Sequence, residues 1–110
     1  MTSDQVRGGA ANTARGEAAF VIAGESRTLR PTFAALVAAE EELGPLFALV
    51  ERAGDSQLRL AEIAALFWHC LTERDALTRD DVGEAVMQAG LARATQPLKV
   101  LLHQILQGQA

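Results

Sequence analysis

The sequence predicts a mainly α fold with a small N-terminal β-hairpin, an α+β arrangement in which four to five short helices pack around one core. Ala and Leu dominate an apolar fraction of 49%, Tyr is absent and β-branched residues are sparse, which is a helix-former's composition. From Thr32 onward, apolar residues recur at helical spacing between capping and glycine signals. One short stretch before Thr32 alternates instead with the period of a strand.

A chain of 110 residues has the usual size of one domain. Met1 to Arg15 holds Ser3, Gly8, Gly9, Asn12 and Thr13 with Val6 as its one large aliphatic besides the initiator. It cannot bury enough surface to offset its ordering entropy, so residues 1–15 are expected to be a flexible tail. Residues 16–110 are expected to form a single helical domain with a hairpin over about 17–30. In that hairpin Ala18, Phe20 and Ile22 share one face, and Ala19 and Val21 the other. Gly24-Glu25-Ser26 is the expected turn, and Arg27 to Arg30 returns until Pro31, which cannot donate to a ladder. A lone hairpin is marginal in water, so its Phe20/Ile22/Leu29 side must rest on a helix.

Thr32 is the expected N-cap of a first helix with the apolar stripe Phe33, Leu36, Val37 and Leu43, ended by Gly44. Pro45 opens a second, shorter helix carrying Leu46, Phe47, Leu49 and Val50, closed by Gly54. From about Leu58 to Thr72 runs the most apolar helix, with Leu60, Ile63, Ala64, Phe67 and Leu71 in one stripe flanked by Leu66 and Trp68. So wide an apolar face marks the central helix. Thr78 precedes two aspartates that suit a first turn, and the fourth helix continues through Val82, Ala85, Val86 and Ala89 to Gly90. The last helix is expected from about Gln96 or slightly earlier, with Pro97 in its first turn and Leu98, Leu101, Leu102 and Ile105 on one face.

Ten Lys+Arg against fourteen Asp+Glu give a net charge of −4, with no basic cluster to follow a phosphate backbone, so nucleic acid is not expected as a partner. No apolar run approaches the roughly 20 residues that span a bilayer, and the N-terminus lacks a signal-peptide core. No membrane association is expected, and the predicted location is cytoplasmic. Cys70 is the single cysteine, which leaves no intramolecular disulfide.

His69 and Cys70 are adjacent and would point about 100° apart on a helix, so they cannot face one metal or one substrate together. His103 is the only other histidine, and Ser3, Ser26 and Ser56 lie in tail or turn positions without a nucleophile-elbow context. No catalytic, metal or cofactor site is expected, and the chain is not expected to be an enzyme. Candidate partner-binding residues are Glu40, Leu66, Trp68 and Leu106. Glu40 falls near the middle of the first helix's apolar stripe. Its carboxylate is either paired at the core edge beneath Arg27 or Arg30, or presented to a partner. Leu66 and Trp68 flank the central stripe and belong either to the core or to a binding face.

The run from Asn12 to Glu17 (NTARGE), then AAFVIAG ending at Gly24, RTLRPT ending at Thr32, and FAAL, Glu40 and Leu43-Gly44 resembles the start of gene transfer agent and prophage tail proteins. These are small proteins encoded between the tail tube subunit and the tape measure, classed with phage tail assembly chaperones. Ile63, Leu66 and Leu71 fit the middle of the family pattern, and Thr78 to Gly90 its end more loosely. The resemblance implies a protein that binds hydrophobic helical segments of the tape measure protein, keeps them soluble and assists tail tube subunits to polymerise, with no cofactor. The alternative it leaves open is a structural tail component retained in the particle, and a homo-oligomer is compatible with either.

Overall fold

The computed structural model describes residues 11–12 and 16–108. Apart from residues 11 and 12, the expected tail lies outside the described residues. The elements follow in order β1 (Ala18–Ile22), β2 (Glu25–Leu29), α1 (Phe33–Leu43), α2 (Leu46–Gly54), α3 (Leu60–Cys70), α4 (Arg79–Ala89) and α5 (Leu91–Gln107). The mainly α globule with an N-terminal hairpin is thus the observed architecture.

β1 and β2 pair antiparallel, with Ile22 opposite Glu25 and Ala18 opposite Leu29. This register makes Ala23-Gly24 the turn, one residue earlier than expected. Both residues have positive φ, 53° and 84°, as a tight two-residue hairpin turn of this twist requires. Ala18, Phe20, Ile22 and Leu29 are buried, as the alternation predicts. Phe20 meets Phe67 of α3 edge to face, with ring centroids 5.1 Å apart. The other side of β2 is tied to the end of α3: Arg30 N donates to Cys70 O (2.7 Å) and Thr72 N to Thr28 O (3.1 Å).

α3 is the central helix, burying Ile63, Ala64, Ala65, Leu66, Phe67 and Cys70. α4 opens on a capping box in which Asp81 N donates to Thr78 Oγ1 (3.2 Å) and Thr78 N to Asp81 Oδ2 (2.8 Å). Its Val82, Ala85 and Val86 face the core as expected.

Two expectations need correction. α1 keeps its Thr32 cap, which accepts from Ala35 N at 3.1 Å, but it turns Ala35 and Ala39 inward while Phe33 is 85% exposed. The buried pair is spaced by one turn and packs toward α3, where small side chains let two helix backbones approach closely. Leu36 and Leu43 sit at the margin of the core, and Val37 is exposed. The second correction concerns α5, which begins at Leu91 and carries Pro97 in its interior. Gly90 serves both helices: its N–H donates to Val86 O to close α4, and its C=O accepts from Ala94 N to start α5, so no linker remains between them.

The start of the fold is fastened by a pair that sequence patterning did not reveal. Glu17 is 2% exposed; its Oε1 accepts from Asn12 N (3.0 Å) and its Oε2 from Arg30 Nε (2.6 Å), while Glu17 N donates to Asn12 O. Gly16 precedes it at φ 76°, where a Cβ would lie 2.4 Å from Gln104 Cγ on α5. The Gly-Glu pair of the motif therefore joins a backbone turn, the hairpin's far end and the last helix. Glu17→Ala is expected to cost about 2–4 kcal/mol, because a buried charged hydrogen-bond acceptor is lost at once to two donors. Glu17→Gln keeps an acceptor and should cost less. Urea denaturation of the two variants beside the parent measures the difference, and a loss below about 0.5 kcal/mol for Glu17→Ala would contradict it.

Candidate functional site

Among the described residues no group of three or more His, Cys, Asp or Glu side chains is placed to hold a metal ion. Cys70 is buried, and burial pushes its thiol up to about 12, far from a reactive thiolate at neutral pH. His69 is engaged elsewhere, its Nε2 lying 2.8 Å from Glu42 Oε1.

Glu42 joins three helices, since its second oxygen also pairs with Arg79 at the start of α4. The hydrogen bond from Arg79, followed by that from His69, holds the Glu42 carboxyl below its ordinary value. A depressed carboxyl contributes stability above the unfolded-state value and loses it as pH falls through the folded one. Because Glu42 is substantially exposed, Glu42→Gln should cost less than about 1 kcal/mol at neutral pH. That difference should vanish well below the ordinary glutamate value of about 4.3. Urea melts of both proteins at the two pH values test this, and a gap that persists in acid would contradict it.

The four expected partner residues fall in three places. Leu66 is 1% exposed and belongs to the core. Trp68 is half-buried, and its ring lies under two guanidiniums, Arg74 at 4.8 Å and Arg79 at 5.9 Å, in cation–π contact. Glu40 and Leu106 come together, although 66 positions separate them in the chain (106 − 40). They line a cleft of about 270 Å³ with Pro45, Leu46, Phe47, Val50 and Ile105.

Glu40 is not paired with Arg27 or Arg30, whose partners are Glu25 and Glu17. The rotation of α1 carries it to the surface, where Oε2 accepts from Leu46 N at 3.1 Å. Pro45, the residue before α2, supplies no side-chain cap, so Glu40 satisfies one of that helix's leading N–H groups. This fixes the corner between α1 and α2 and hence one wall of the cleft.

α2 buries Leu49 and turns Phe47 outward at 78% exposure. Opposite it on α5, Leu106 is 52% exposed. Val50 and Leu106 also line a larger trough of about 680 Å³, which continues between the end of α2 and the middle of α5 past Leu58, Leu91, Leu98 and Leu102. The two depressions share a boundary and make one apolar channel along the α2–α5 seam. Phe47 was not singled out in the sequence, yet it lies about 100° from Leu46 and 200° from Leu49, off the stripe that α2 buries. That offset is the signal that could have found it.

A model of the protein family described as phage tail tube protein, GTA-gp10, matches residues 15–108. No curated protein and no solved structure gives a significant match.

Proposed function

The chain belongs to the GTA-gp10 family of phage tail assembly chaperones, and we propose that it acts in that role on the tape measure protein, holding apolar helical segments of it until tail tube subunits replace the chaperone. The observation that carries this reading is the α2–α5 channel. Phe47 and Leu106 stand exposed on its two walls above a floor of half-buried Leu46, Val50 and Ile105. An amphipathic helix recognised in a groove presents apolar residues at i, i+3, i+4 and i+7, and a channel walled by two helices suits that pattern. The family is generally non-enzymatic and its membership implies tail-protein partners. No helix among the described residues is long and apolar enough to cross a membrane, which fits work on cytoplasmic precursors of the tail.

The family is described as a phage tail tube protein, and that favours a second reading, a structural tail component retained in the particle. Quantitative mass spectrometry of producing cells and purified particles separates the two. A chaperone is recovered from lysate with tape measure fragments and is absent from particles; stoichiometric recovery from particles would establish the structural reading instead. Recovery from neither would overturn both.

A further inference from the structure

We propose that the open edge of β1 takes up an extended segment of another protein as an added strand, one that sets alternate apolar side chains into the depression beside that edge and a carboxylate against Arg93. The two edges of the hairpin differ. Across a two-residue turn Ile22 and Glu25 exchange main-chain hydrogen bonds, and by alternation so do Phe20 with Arg27 and Ala18 with Leu29. The main-chain N–H and C=O groups of Thr28 on β2, and of Ala19 and Val21 on β1, therefore point away from the pair. On the β2 side the chain covers its own edge, since Thr28 O accepts from Thr72 N and the following Arg30 N donates to Cys70 O. On the β1 side no described residue bonds to the main chain of Ala19 or Val21, and both residues are exposed. Nothing on β1 discourages pairing: Ala18–Ile22 carries no charge and no proline, and its register with β2 has no bulge.

Beside this edge, between the hairpin and the α4–α5 corner, lies a depression of about 570 Å³. Phe20, Ala85, Ala89 and Pro97 give it an apolar floor. Arg93 also lines it, exposed and without an ion-pair partner among the described residues. In strand addition the main-chain bonds supply affinity and pockets for alternate side chains supply specificity. Ala19 and Val21 offer the first, the depression offers the second, and Arg93 selects an acidic residue. A second copy of β1 does not match, because its Ala18, Phe20 and Ile22 are buried in its own core and Ala18–Ile22 brings no carboxylate. This surface shares no lining residue with the α2–α5 channel, so the inference is independent of helix binding there.

A short capped peptide of alternating Thr and Val, with Glu in place of one Val, is the probe, and its Glu→Lys counterpart the control. Both are titrated against the full-length protein, with amide hydrogen exchange followed by NMR. In the free protein the Ala19 and Val21 amides should exchange fast, and the Glu peptide should slow both. The Lys peptide should bind about fivefold more weakly, a difference that Arg93→Gln removes. Val21→Pro, which deletes one of the edge donors, should abolish binding of either peptide. Arg93→Gln leaves the strand untouched, so the test does not depend on how the proline variant folds. No binding, or binding that leaves the Ala19 and Val21 amides unprotected, would overturn the proposal. Equal binding of the two peptides would overturn the role of Arg93. Slow exchange of both amides in the protein alone would overturn it too: protection that rises with protein concentration would place a second copy on the edge, and constant protection would place the chain's own residues there.

Discussion

Phe67→Ala is expected to destabilise the protein by about 3–5 kcal/mol, a large part of the 5–15 kcal/mol that holds a domain of this kind together. Phe67 is fully buried on the central helix and forms the edge-to-face contact with Phe20 that seats the hairpin. Truncation removes the transfer energy of the ring and leaves a cavity among α3, β1 and their neighbours that close-packed side chains only partly refill. It also costs the geometric preference of an aromatic pair, worth about 0.5–1.5 kcal/mol. The hairpin depends on this contact more than a helix would, because two strands alone are barely stable in water. Phe67→Leu retains most of the volume and should cost clearly less. Urea denaturation, with the slope checked for constancy, reads both losses, and a cost under about 1 kcal/mol for Phe67→Ala would mean that the hairpin is held elsewhere.

That the Phe20/Ile22 face rests on a helix was legible in the sequence, and the reason is physical; Phe67 as its partner emerges only in the fold. Strand alternation put Phe20 and Ile22 on one face, a hairpin needs a helix to lie on, and the only helix with so broad an apolar face contains Phe67. The caps were legible too: Thr32 and Thr78 bond their own neighbours, so three or four residues of sequence contain the whole interaction. The hairpin turn moved by one residue because Ala23 adopts a left-handed conformation that composition does not announce. The face of α1 was misread because counting large apolar residues favoured Phe33 and Val37, whereas α1 buries the small side chains of Ala35 and Ala39.

Long-range pairings were the least legible. Glu17 lies 13 residues from Arg30, and nothing local distinguishes a buried glutamate from a solvated one. The same holds for the cleft. Glu40 and Leu106 were reasonable candidates one at a time, but their meeting depends on α2 and α5 packing together, which periodicity within either helix does not specify. Leu66 shows the converse: a residue 100° from the main stripe is still core when helices and strands surround α3 on several sides.

The channel makes the second large prediction, on binding with folding left intact. Phe47→Asp and Leu106→Asp are each expected to weaken binding to a helical tape measure fragment by about 30- to 1,000-fold, the range for removing an aromatic or aliphatic anchor from the centre of an interface. Stability should change by no more than about 0.5 kcal/mol, because both side chains are largely exposed and removing them leaves no cavity. Val21→Asp supplies the control, since Val21 is also exposed but lines a different depression between the hairpin and the α4–α5 corner. It should leave binding unchanged, whereas Leu66→Asp should unfold the chain by placing a carboxylate in the core. Isothermal titration against the fragment, paired with thermal melts of each variant, separates these outcomes. If Val21→Asp abolishes binding while Phe47→Asp does not, the partner sits on the hairpin side and the α2–α5 channel is not the chaperone surface. If all three surface variants bind normally, apolar anchoring itself is the wrong account, and recognition would have to rest on the charged residues around α1 and α4.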